Sequence, residues 1–194
     1  MSDLLRDSQS FQGLADNKQA IEIYEQIDNF KRLCESVGKD LSVLGGEEMP
    51  DNWRANRVCG RLDFAYLGEQ STAPVLRGEL KLALPAVCQR CMKAFEWPLQ
   101  TTLSLALVRA SAADIEDVET EIPRAPADYE LWELPDDTVR PIDIIDEALV
   151  MALPMAPKHV EMSRCIEFEQ AARAPHTMTP FASLRTAMDR DKQN

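Results

Sequence analysis

Glycine and histidine are both scarce in this chain, with seven and two in 194 residues. None of the glycines falls in a Walker loop, a dinucleotide fingerprint or the elbow that exposes a nucleophilic serine. Long apolar runs are missing as well. The longest, residues 148–157, is broken by proline and too short to span a bilayer, and the first dozen residues lack the apolar segment of a secretory signal. A cytoplasmic protein without membrane contact is therefore expected. Five cysteines, an odd number, do not suit a disulfide framework in a reducing compartment. Positive charge is the minority, 21 Lys and Arg against 33 Asp and Glu, for a net charge of -12. Such a balance excludes a protein that coats nucleic acid by bulk electrostatics, because phosphate binding needs clustered cations.

What is present points to a folded chain. Hydrophobic residues make up 45% and charged residues 28%, a globular composition, and the length suits a single domain over residues 1–194. Residues 21–27 alternate as a strand; residues 28–37 read as a short helix with Asp28 as N-cap and Gly38 beyond its end. Period two then takes over. Val58, Leu62, Phe64 and Tyr66 share one face, with Arg57, Cys59, Arg61 and Asp63 on the other. Leu76, Leu80, Leu82 and Leu84 oppose Arg77, Glu79 and Lys81 in the same way, and Phe95, Trp97, Leu99, Leu103, Leu105 and Leu107 repeat the pattern. Consecutive strands with short links predict an α+β fold: a twisted antiparallel β-sheet meander, able to close in part into a barrel, with a few packed helices. Pro141 opens a helix to about residue 153, with Ile142, Ile145, Leu149 and Ala152 inward, and Pro154 and Pro157 end it. A last short helix after Thr179 belongs to a loosely held C-terminal tail.

Residues 111–137 break the periodicity. Ten carboxylates lie between Asp114 and Asp137, with one arginine and three prolines, which predicts a flexible acidic loop. Within it Tyr129, Leu131, Trp132 and Leu134 form an apolar cluster, expected to dock on the parent sheet rather than on a partner. Between residues 54 and 109 the balance reverses to eight basic against four acidic. Arg57, Arg61, Arg77 and Lys81 fall on the solvent faces of two adjacent strands, with Arg90 and Lys93 at a hairpin tip, a candidate RNA-binding set. The plainer reading is a mixed-charge sheet face, given Asp63 and Glu79 beside them. Phe64, Tyr66, Phe95 and Trp97 all fall on the core side, so base stacking is not indicated.

Cys88 and Cys91 form a C-x-x-C turn between two strands, with His159 and Cys165 downstream. Two intervening residues let both sulfurs face one point about 2.3 Å away, as a metal requires, and a distant Cys and His complete a tetrahedron. Two competing readings are a chance grouping of thiols and a redox pair, though redox C-x-x-C motifs open a helix rather than join two strands. Metal binding by Cys88, Cys91, Cys165 and His159 is the sharper expectation, with zinc the default for sulfur and nitrogen ligands. His176 has no partner at ligand spacing, and Cys34 and Cys59 read as ordinary buried thiols. Asp143 and Glu147 lie four apart on one helix and invite an acid/base reading, but no nucleophile accompanies them. A solvated helix face accounts for them better, and nothing marks an enzyme.

The segment Val87-Cys88-Gln89-Arg90-Cys91-Met92-Lys93-Ala94-Phe95, the run from Ile142-Asp143-Ile144 to Ala152-Leu153-Pro154-Met155-Ala156-Pro157-Lys158-His159, Cys165 after it, and Pro180-Phe181-Ala182-Ser183-Leu184 occur in this order. In that combination the chain resembles the YceD-type large ribosomal RNA subunit accumulation proteins of bacteria. The resemblance implies a non-enzymatic factor in synthesis, processing or stability of large-subunit ribosomal RNA, with that RNA or its precursor particle as partner. Some members carry further cysteines after the proline run, where this chain has Cys165 alone. A second expectation is an acidic adaptor that recruits a processing or assembly factor through the acidic loop without touching RNA.

Overall fold

The computed structural model describes residues 3–45, 49–67, 73–109, 128–161 and 165. The chain divides into two compact units, Met1–Lys158 and His159–Asn194, and the elements below all belong to the first. In chain order they are β1 (Gln9–Ser10), α1 (Phe11–Asp16), β2 (Ala20–Gln26), a 3-10 turn (Ile27–Asn29) and α2 (Lys31–Leu41). After a second 3-10 turn (Trp53–Ala55) come β3 (Arg57–Tyr66), β4 (Pro74–Val87), β5 (Ala94–Arg109), β6 (Glu130–Leu134), β7 (Thr138–Val139) and α3 (Pro141–Met151).

The fold is α+β, as the alternation predicts. Strands β2 to β5 form an antiparallel meander in sequence order, and β6 joins the far edge parallel to β5. Strands β1 and β7 make a separate two-stranded pair. Among the described residues the five-stranded sheet stays open, with β2 and β6 at its edges, so the partly closed barrel is not formed. One face is polar and the other carries the core, where Leu62, Phe64, Leu76 and Leu80 join Leu33 and Val37 of α2 and Ile145 and Leu149 of α3. Burying apolar surface on one face only is what period-two alternation achieves for a sheet. Strands β3 and β4 approach closely at Gly60, where a Cβ would run into the carbonyl oxygen of Glu79. Within the described residues no helix is long and apolar enough to cross a membrane.

Three local expectations need correction. The helix predicted over residues 28–37 starts later, at Lys31, and runs through Gly38 to Leu41. Asp28 does not cap it; the N-cap Phe30 offers no side-chain bond. The buried carboxylate of Asp146 on α3 supplies the missing acceptor, taking the N–H groups of Arg32 at 3.0 Å and Leu33 at 2.9 Å. Gly38 lies inside the helix rather than beyond its end, with open space where a Cβ would be. Next, the described part of the acidic segment contains a strand, Glu130–Leu134: Trp132 packs against the core and Leu134 is buried, so the cluster docks on its own sheet. Its earlier part, residues 111–127, and the tail after Thr179 lie outside the described residues. Finally, Cys59 is exposed rather than buried, because it alternates outward with Arg57 and Arg61.

Candidate metal centre

The β4–β5 ladder ends at Val87↔Ala94, so the chain must reverse within residues 88–93. Two bonds build that turn. The Cys88 N–H donates to the Lys93 carbonyl at 3.0 Å, and the Met92 N–H donates to the Cys88 carbonyl at 2.8 Å. Met92 takes the left-handed conformation, φ 57°, which closes the turn at a steric cost that glycine would avoid. Both cysteine side chains point inward and are buried. At the same tip the Gln89 N–H donates to the Pro157 carbonyl at 2.9 Å, which holds the proline run just ahead of His159.

His159 Nδ1 lies 3.3 Å from Cys165 Sγ, and the ligand atoms of Cys88, Cys91, His159 and Cys165 all lie within 4.8 Å of one another. The three cysteines are buried and His159 is half-buried. A tetrahedron with metal–sulfur bonds of about 2.3 Å has sulfur–sulfur edges of about 3.8 Å, so a bound ion needs at most a contraction of about 1 Å. The set offers sulfur and nitrogen with no hard oxygen donor, which suits a borderline-soft ion in a closed, four-ligand site. An ion held by all four would have a tetrahedral shell filled by protein side chains. The four residues that the sequence singled out as ligands are thus together, and they can hold a metal ion.

The candidate RNA-binding cations are exposed, but those on the sheet face are engaged. Arg61 pairs with Glu22 at 2.9 Å and Asp63 at 2.8 Å, and Lys81 with Glu79 at 2.8 Å. Asp63 and Glu22 accordingly raise the Arg61 pKa further, with the hydrogen bond to Asp63 the larger cause. Arg57 lies over the Tyr24 ring at 4.4 Å and Arg77 over the Tyr129 ring at 5.1 Å. Tyr24 is a surface aromatic outside the set that the sequence pattern points to. Its outward position follows from the alternation Glu22, Tyr24, Gln26 in β2, and it is 67% exposed. Phe95 and Trp97 are half-buried and meet edge to face at 6.0 Å, close to the tip that carries Arg90 and Lys93.

A family model described as large ribosomal RNA subunit accumulation protein YceD matches residues 76–186, more than half of the chain. The chain belongs to the YceD family. The YceD match begins in β4 and takes in the four candidate ligands together with Arg77, Lys81, Arg90 and Lys93, whereas Arg57, Arg61 and α2 precede it. The family description ties the chain to accumulation of large-subunit ribosomal RNA. No curated protein and no solved structure matches the chain significantly.

Thiol reactivity gives a direct check on this YceD centre. With metal held at the four ligands, a maleimide added to the native protein is expected to label Cys59, which is exposed, and to spare Cys34, whose thiol pKa burial pushes up. Cys88, Cys91 and Cys165 should join only after a strong chelator is added. Mass spectrometry of tryptic peptides reads the order; early labelling of Cys88 or Cys91 without chelator counts against the centre.

Proposed function

We propose that this YceD-family protein is a non-enzymatic binding factor in synthesis, processing or stability of large-subunit ribosomal RNA, acting on a precursor particle during ribosome biogenesis in the cytoplasm. The family match over residues 76–186 carries this reading. Zinc on Cys88, Cys91, Cys165 and His159 would shape the hairpin tip that presents Arg90 and Lys93, and RNA contact would add Arg57, Arg61, Arg77 and Lys81. The two helical carboxylates that suggested acid/base work support a structural use, since Asp143 pairs with Arg140 at 3.5 Å and Glu147 with Arg32. Deleting the gene is expected to lower mature large-subunit RNA relative to small-subunit RNA. Equal loss of both would overturn the reading.

RNA contact has its own measurement. Replacing Arg57, Arg61, Arg77 and Lys81 with Gln should weaken binding to a large-subunit precursor fragment and flatten its salt dependence. Each phosphate that is no longer neutralised lowers the log–log slope by about one. The drop should fall short of that for four phosphates, because Glu22, Asp63 and Glu79 already engage part of this charge. The acidic-adaptor reading predicts instead no RNA affinity in the parent protein even at low salt.

A further inference from the structure

Strand β5 is 16 residues long, yet β6 pairs only with its end, from Leu105↔Glu130 to Arg109↔Leu134. The direction of the remaining backbone groups follows from a proline. Pro98 has no N–H and lies opposite Ala83, whose carbonyl accepts from the Asn56 side chain on the β3 side at 2.9 Å. That pair is therefore a non-hydrogen-bonded one, and strict alternation turns the N–H and C=O groups of Gln100, Thr102 and Ser104 away from β4. Among the described residues no strand meets them. An edge of this kind is a ready template for another extended chain.

Beside the edge lies a cavity of about 450 Å³ whose floor includes Leu103, Trp132, Ala148, Met151 and Ala152. Met151 is 69% exposed, an apolar side chain with nothing described over it. Among the described residues the charged side chains lining the cavity are Asp128 and Glu130, both acidic, and Arg77 reaches it only from behind the Tyr129 ring. We infer that the free edge of β5 docks an extended segment of a partner protein, one that alternates apolar residues with Lys or Arg. Its backbone would continue the ladder at Gln100, Thr102 and Ser104, its apolar side chains would fill the cavity over Trp132 and Met151, and its cations would meet Asp128 and Glu130. A short segment fits better than a second copy of the chain, because a second β5 centred on this stretch would run on into the line that β6 occupies. The edge adjoins two of the candidate RNA-binding cations, since Arg77 lies opposite Ser104 and over the Tyr129 ring and Lys81 lies opposite Gln100, but the outward backbone groups do not depend on them, so the inference stands even if RNA binding fails.

Amide hydrogen exchange on the full chain, read by NMR, tests this with a capped peptide of alternating lysine and valine. In the free protein the amides of Gln100, Thr102 and Ser104 should exchange fast, and saturating peptide should slow them by about tenfold or more. Thr102→Pro removes one outward donor without touching the β4 ladder; it should weaken binding by about tenfold while the ladder amides keep their protection. Asp128→Lys with Glu130→Lys should switch preference to a peptide of alternating glutamate and valine. Protection of these three amides in the free protein would overturn the inference, with light scattering telling a second copy from the chain's own segments as the cover. Binding that leaves their exchange unchanged would overturn it too.

Discussion

Cys91→Ser is expected to abolish metal binding and loosen the hairpin tip while the sheet stays folded. Protein purified without chelator should carry about one ion per chain, as a closed four-ligand site implies, and the variant close to none. In small zinc modules the metal supplies nearly all the folding free energy; here β3, β4 and β5 own a separate apolar core, so the loss should be on the order of a few kcal/mol. The affected region should be local: residues 88–93, Pro157, His159 and Cys165, which meet through the turn bonds and the ligand set. Because cysteine binds metal as thiolate, acid should release the ion. Two controls separate this from a general cysteine effect. Cys59→Ser, at an exposed position, should stay within about 0.5 kcal/mol. His159→Ala leaves three sulfur ligands and should weaken retention without removing it. Elemental analysis and denaturant melts with and without chelator measure all three. A parent protein free of metal and indifferent to chelator would end the proposal.

Asp146→Ala is expected to cost about 3 kcal/mol, the largest effect of any carboxylate in α3, because it strips two charge-assisted bonds from the buried start of α2. The carboxylate also sits where the helix dipole favours negative charge. Asp146→Asn keeps one acceptor but turns an N–H group toward the other donor, so it should recover only part of the loss. Asp143→Ala, by contrast, removes an exposed ion pair with Arg140 and should cost less than about 0.5 kcal/mol. Denaturant melts of the three variants at neutral pH give the ranking; a loss at Asp146 no greater than at Asp143 would refute the cap.

Much of this architecture was legible in residue order. Alternation in residues 57–66, 74–87 and 94–109 announced three strands with the correct inward face, since a half-buried sheet imposes period two whatever covers it. Pro141 marked the start of α3, and the C-x-x-C spacing marked two ligands of one turn, because both are local constraints on backbone and side-chain reach. The family itself showed in the order of short motifs around those constraints. Other features had no local signal. Ten carboxylates and three prolines made residues 111–137 look like loop, yet Glu130–Leu134 is a parallel edge strand: its cost in chain closure is offset by the ladder with β5 and by burial of Leu134. Asp146 resembles its neighbours Asp143 and Glu147 in sequence, and only the packing of α3 on α2, more than a hundred residues away, makes it a cap.

The sequence by itself thus determined which faces are apolar, where strands and α3 begin, and which four residues carry metal-ligand chemistry. Tertiary structure alone decided that among the described residues the sheet stays open and β6 alone pairs with the outer edge of β5, that Asp146 rather than Asp28 caps α2, and that the four ligand atoms come within 4.8 Å. The division has a physical cause. Periodicity and turn chemistry are set by covalent geometry over a few residues, whereas edge pairing, trans capping and ligand assembly depend on which distant surfaces meet, a choice made by burial over the whole core.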